Sequence, residues 1–275
     1  MKGRRKLWRW LVAPVIMLAS IYLLVAYLLL PRLWLHYEHQ PDLAQRPMVT
    51  RTPQDIPGDP INVGLVGSKE DVIRSFAAAK WDPADAITLR SSVEIGASVL
   101  LDRPYVEAPV STLLFEGRRQ DLAFEMPVGD SADRRHHVRL WLVLHRGAEG
   151  RPVWLGSASF DQGVGLSHDT GQITHHIAPD VDADRDLVIR DLSNAGMLVS
   201  TYQVSGVGPT VNGHNGGGDR YYTDGEVTIG VISPNASMAS APPTMLSNPA
   251  ATIFKQNVWS LGLRLRDLLR GSAAK

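Results

Sequence analysis

The chain has 275 residues, with 28 Lys or Arg balancing 28 Asp or Glu, and no cysteine. Five of the cations lie in the first nine residues, so the remainder is mildly acidic, which argues against an electrostatic nucleic-acid binder. Without thiols there can be no thiolate zinc site, thiol nucleophile or disulfide framework, and the domain must rest on its own core.

Residues 11–30 (LVAPVIMLASIYLLVAYLLL) carry no charge. As a helix they reach about 30 Å, the thickness of a hydrocarbon core, with every backbone amide satisfied internally. Lys2, Arg4, Arg5, Lys6 and Arg9 precede this run, whereas Arg32 stands alone just after it and the first acidic residue is Glu38. The asymmetry predicts a cytoplasmic tail over residues 1–10 and everything past residue 31 on the other side. A cleaved signal peptide shares the basic start, but its apolar stretch is about 7–15 residues and ends at small side chains. Here Leu28, Leu29, Leu30 and Pro31 occupy that place, so an uncleaved single-pass anchor is expected.

Pro41, Pro47, Pro53, Pro57 and Pro60 mark residues 31–60 as a semi-rigid stalk, since proline lacks an amide donor and favours extended backbone. The globular part is then residues 61–232, followed by a Pro/Ser-rich linker over 233–251. Residues 61–66 read as a buried strand, and Ser68 with Asp71 as a capping box for a helix whose apolar face is Val72, Ile73, Phe76 and Ala77. Leu89, Val93, Ala97 and Leu100 suggest a second helix, interrupted by Gly96. From residue 110 the period becomes two: 112–116, 120–126, 134–145, 152–164 and 172–177 read as strands of an antiparallel meander. Asp182, Asp184 and Asp186 open a further helix, where carboxylates suit the positive end of the dipole, and Gly196 is placed to stop it. Residues 197–204 and 226–232 are the last strands, and the glycine-rich stretch 206–218 between them reads as a long mobile loop. The class is α+β: a mainly antiparallel sheet packed with two to three helices, preceded by one transmembrane helix. In residues 252–275, Phe254, Val258, Leu261, Leu265 and Leu268 recur at helical spacing among Arg264, Arg266 and Arg270; this amphipathic helix either lies in a membrane interface or docks on its own domain.

Nine histidines include the adjacent pairs His136–His137 and His175–His176. Neighbours on a strand point to opposite faces, so each pair offers one side chain to any one site. His136 alternates with Val138, Leu140, Leu142 and Leu144 and belongs to the core; His137 shares its face with Arg135, Arg139 and Trp141. By the same parity His175 goes with Ile173 and Ile177, leaving His176 as the polar partner of His137. The candidate catalytic residues are His137, Arg139, Asp161, His176 and Asp180, and the candidate metal ligands are His137, His176, Asp161 and Asp180, a set suited to zinc or non-haem iron. The same groups suit proton transfer, or a hydrogen-bonded network that fixes the sheet. The run of aspartates from Asp180 to Asp186 fails as a calcium loop, because Arg185 stands where the turn needs glycine and Asp191 where it needs glutamate. Neither a phosphate-binding loop nor a serine-hydrolase elbow is present.

The segments DPINVGLVG, LRSS, RPY…APVS, GRRQDLAFE, RRHHVRLW, VWLGSASFD, THHIAPDVDADRD and DLSNAG, in that order, resemble the LssY C-terminal domain family over residues 59–205. Members of that family are often polytopic bacterial membrane proteins in which this domain follows a DedA-like or lipid-phosphatase-like region, and the family's name refers to a locus associated with type I secretion. The resemblance therefore implies a bacterial inner-membrane setting with the domain in the periplasm or outside the cell. This chain departs from the fused architecture in having one anchor helix, and it lacks Pro-Ser-Gly-His and the lysine that would precede Arg103-Pro104 in a phosphatase signature, so no phosphatase activity is carried over. The expected function is an accessory or binding module for envelope or lipid-related processes, with the bilayer and envelope membrane proteins as partners and no nucleic acid. The alternatives are a metal-dependent hydrolase and a subunit of a secretion assembly.

Overall fold

Two units make up the chain, Met1–His36 with Asn248–Lys275, and Tyr37–Ser247. The structure, a computed structural model, describes residues 2–85, 88, 90, 112–129, 134–168, 171, 173–236 and 238–273. In the first unit, helix α1 (Lys2–Leu24) continues through a π turn (Val25–Leu29) into α2 (Leu30–Trp34). Residues Val12–Trp34 are long and apolar enough to cross a membrane, and side chains such as Ile16, Leu18, Leu23 and Leu28 are exposed.

The second unit starts well before residue 61. The expected stalk is instead part of the fold: Leu43 is fully buried, and β1 (Val49–Arg51) pairs antiparallel with β2 (Pro57–Pro60). Prolines suit this place because β2 is one of only two strands in its sheet and has an edge free of ladder bonds. Then come β3 (Val63–Val66), α3 (Lys69–Ala78), β4 (Asp82–Pro83), β5 (Leu122–Pro127), β6 (Arg135–Leu144), β7 (Val153–Leu166) and β8 (Ile173–Ile177). Helix α4 (Val181–Asn194), β9 (Leu198–Ser205), β10 (Thr210–His214), β11 (Arg220–Thr223), β12 (Glu226–Ile232) and β13 (Thr244–Met245) complete the unit.

The main sheet runs β13-β9-β12-β3-β7-β6-β5-β4, with β8 paired to the far half of β7. Its pairs are antiparallel except β12–β3 and β13–β9, so β3 is inserted between β7 and β12 and the sheet is mixed rather than a plain meander. One face packs on α3 and α4 through Val63, Leu65, Phe76, Val138, Leu140, Val188 and Leu192. The other is covered by the irregular N-terminal segment through Leu43, Met48, Phe115, Trp141, Leu155, Tyr202 and Ile229. Both faces are therefore buried.

Local signals hold where the chemistry is local. Ser68 Oγ accepts from the Asp71 amide and Asp71 accepts from the Ser68 amide, closing the capping box. Asp180 caps α4, and Gly196, at φ 70°, ends it with Met197 N–H donating to the Leu192 carbonyl and Gly196 N–H to that of Ser193. Residues 112–116 do not form a strand: Leu114 and Phe115 make isolated bridges, and the chain turns at Glu116 and Gly117, both with positive φ. Nor is 206–218 a structureless loop, because β10 and β11 form a hairpin there. The helix expected from Leu89 to Leu100 lies outside the described residues. The last helix, α5 (Ala250–Ala273), belongs to the anchor unit beside α2, and its stripe of Phe254, Val258, Leu261, Leu265 and Leu268 is exposed.

Candidate functional site

On β6, alternation sends Arg135, His137 and Arg139 to the face away from α4. Their direct partners on β7 are Asp161, Ser159 and Ser157. These three are small or acidic, so the strand pair leaves room where Trp141 and Leu155, further along, fill the same face with apolar bulk. The turn between β1 and β2, Asp59, and the β10–β11 turn wall off the space. The result is an open cavity of about 220 Å³ lined by Asp59, His137, Arg139, Asp161, His175 and Asn215, among others.

Every titratable group in this set is buried: Asp161 is 1% exposed, and His137, Arg139, Asp59 and His175 are each below one-tenth. Asp161 accepts from Arg135 Nε at 3.3 Å, and Arg135 also meets Glu125 at 3.0 Å. His137 Nδ1 lies 3.2 Å from Asp161 Oδ1, close enough for an ion pair but off the line of a hydrogen bond, so among the described residues both atoms lack a hydrogen-bond partner. Neither ring nitrogen of His175 has one either. Buried polar atoms are seldom left so, and these four belong to three residues that line one cavity. Asp59 is held by Asn215, whose amide donates to its Oδ1 at 3.1 Å, and faces Arg139 Nη1 at 3.8 Å.

Burial tends to raise the Asp161 pKa, but the charges of His137, His175 and Arg139, with the His137 contact, outweigh it and hold this carboxyl well below the usual range. Burial pushes Asp59 up despite Arg139 and His137, and pushes His175 down despite Asp161. His175 is therefore a neutral imidazole at pH 7, able to donate and to accept. Ser159 Oγ lies 3.4 Å from His137 Nε2, which with Asp161 gives the distances of a Ser–His–Asp relay. Yet Ser159 is 1% exposed and does not line the cavity, so its hydroxyl has no route to a substrate.

Of the residues singled out in the sequence, His137, Arg139 and Asp161 meet in this cavity. His176 does not. Because Asp161 is directly opposite Ile177, the face of Ile177 and His175 is the face of His137, and His176 points the other way. Strand alternation correctly separates the two histidines, but the assignment of the apolar side fails because both faces of this sheet are covered. Asp180 is committed to the α4 cap and to the Tyr222 hydroxyl at 3.1 Å. His136 lies on the α4 side as expected but only partly buried, its ring tilted against Phe160 and 2.6 Å from Asp184. Sequence reasoning missed Asp59 and His175. Asp59 had a signal, a carboxylate between Gly58 and Pro60 directly before an apolar strand; His175 needed the register of β8 on β7.

A family model described as LssY C-terminus matches residues 38–227. The chain belongs to the LssY C-terminal family. The matched span begins close to the first residue of the second unit and takes in every residue of the cavity, so the His137–Asp161 site lies inside the LssY domain itself. No curated protein and no solved structure matches the chain.

Proposed function

We propose that this LssY domain is a membrane-anchored binding module of the bacterial envelope that receives a small hydroxyl-rich group, a saccharide unit or polyol headgroup, in the His137–Asp161 cavity. The observation that carries the reading is the set of buried polar atoms without hydrogen-bond partners among the described residues on His137, Asp161 and His175, three residues that line one open cavity. Two carboxylates, a guanidinium and a neutral imidazole offer acceptors and donors side by side. Vicinal hydroxyls, which are both, match that pattern; a phosphate would have to sit against Asp59 and Asp161. The membrane setting rests on the Val12–Trp34 helix, and the exposed apolar stripe of α5 beside α2 fits a helix lying in the same interface. The basic residues before the span support an inner-membrane orientation with the domain outside the cytoplasm.

A second reading, a metal-dependent hydrolase, draws support from His175, whose two ring nitrogens are without partners beside Asp161; it needs His175 in the role the sequence gave to His176. Ligand-detected NMR on the full chain in detergent, with a panel of monosaccharides, inositol and inorganic phosphate, tests the proposal. A sugar or polyol signal that disappears in Asp59→Asn is expected. Binding of phosphate alone, or of no polyol, refutes it. A reporter fused after Lys275 should be active only outside the cytoplasm.

A further inference from the structure

On the other side of β8 a second histidine cluster shares no residue with the cavity set. His168, His176 and Asp219 bring one ligating atom each to within 4.8 Å of one another. His176 Nδ1 is 2.7 Å from Asp219 Oδ1, and His168 Nε2 is 4.0 Å from the same oxygen. The two rings stand 5.3 Å apart. Each part is fixed by its surroundings. Asp219 is 10% exposed, and its Oδ2 accepts the Ile177 amide at 3.1 Å, which leaves Oδ1 for the imidazoles. The Nε2 end of His176 packs against Gly165, where even a Cβ would come within 2.4 Å of it, so Nδ1 is the nitrogen presented to Asp219. His168 is mostly exposed and can swing.

We infer that His168, His176 and Asp219 form a binding site for a zinc-class divalent cation. Two imidazoles and a carboxylate are the donors that Zn²⁺ takes, with a fourth position open to water beside the exposed His168. Bonds of about 2.0–2.1 Å in a tetrahedron place ligand atoms about 3.3 Å apart. Reaching that spacing opens the present His176–Asp219 contact slightly and draws His168 in by up to about 1.5 Å, a movement its exposure allows. The three ligands come from the end of β7, from β8 and from the β10–β11 turn. The neighbouring Ser167, Asn215 and Gly217 line the cavity rim, and His168 N–H already donates to the Gly217 carbonyl at 2.9 Å. A bound ion therefore clamps two rim segments together. The site stands on its own residues, whatever fills the cavity.

The test uses the full chain in detergent, free of any histidine tag and stripped with EDTA, titrated with Zn²⁺ alone and, separately, Mg²⁺. One Zn²⁺ per chain and no Mg²⁺ are expected, since Mg²⁺ prefers an all-oxygen octahedron. His168→Ala and Asp219→Asn should each weaken Zn²⁺ binding at least about tenfold, because even outer partners of a ligand cost 10–100-fold. His168 is exposed, so its replacement leaves folding out of the question; His145→Ala, at another exposed histidine, should leave affinity unchanged. Absence of stoichiometric Zn²⁺ binding, or full-strength binding in His168→Ala, overturns the inference. So does an equal loss in His145→Ala, which would mark adventitious surface chelation.

Discussion

Deleting residues 37–58 should unfold the domain, although the strands of the main sheet would all remain. That segment inserts Leu43, fully buried, and Met48, 7% exposed, into the core on the cavity side of the sheet. Each such side chain contributes about 1.5–3 kcal/mol on burial. Gln40, 1% exposed, donates to the Tyr202 hydroxyl at 2.8 Å and accepts from the Ala148 amide at 3.1 Å. Thr50 donates to the Asp59 carbonyl at 2.8 Å, and the Ile61 amide to the Met48 carbonyl at 3.0 Å. Tyr202 keeps Glu149 at 2.9 Å, so its hydroxyl is not stranded, but the Ala148 and Ile61 amides lose their partners. At about 1 kcal/mol for each of these four hydrogen bonds, the loss comes to about 7–10 kcal/mol. A domain's whole stability is about 5–15 kcal/mol. Two fragments, 37–247 and 59–247, decide the matter by urea unfolding followed through near-UV circular dichroism. The longer should unfold cooperatively; the shorter should be insoluble or show no native aromatic signal. At about 2–4 °C per kcal/mol for a chain of this size, a shorter fragment melting within 5 °C of the longer one would refute the packing argument.

Asp161→Asn should cost about 3 kcal/mol at pH 7, since it removes one partner from a buried charge cluster while leaving Arg135 with Glu125. The Asp161 pKa is depressed in the folded state, so its stabilisation is complete above the unfolded value of about 3.9 and is lost as pH falls below it; a gap between wild type and variant that stays constant down to pH 3 would contradict this. Asp182 has the opposite sign: burial, against Arg185, pushes its pKa up to about 6, so the wild type should lose stability between about pH 4 and 6 as pH rises, and Asp182→Asn should flatten that slope in urea titrations. His136→Ala takes a partner from the buried Asp184 and should cost about 1–3 kcal/mol, whereas His175→Ala, removing a ring without partners, should cost less than about 1 kcal/mol; equal losses in chemical denaturation would undo the assignment.

What was legible in the sequence followed from interactions between near neighbours. The capping box at Ser68, the Gly196 stop and the alternation of β6 each depend on residues a few positions apart, and each is found in the structure. The misread parts depend on partners far along the chain. Proline in residues 41–60 argues against helix and central strand, but it cannot distinguish a stalk from a two-stranded edge whose side chains fill a distant core. Alternation on β8 says that His175 and His176 diverge; only the pairing of Ile177 with Asp161 says which of them meets His137.

The same pairing explains why two histidine clusters exist rather than one. Placing His175 and His176 on successive residues of a strand sends one imidazole inward to the buried carboxylate Asp161 and the other outward to Asp219 at the rim. A shift in the register of β7 between Asp161 and Gly163 accompanies this division, and Gly165, across from Thr174, leaves the space into which the His176 ring turns. A one-residue slip of β8 would exchange the two rings and present His176 to Asp161. Against that slip stand the Ile177 amide bonded to Asp219 and the packing of Ile177 with Val181 and Tyr221. The β10–β11 hairpin that supplies Asp219 and Asn215 thus fixes the register of β8, and through it the composition of the cavity.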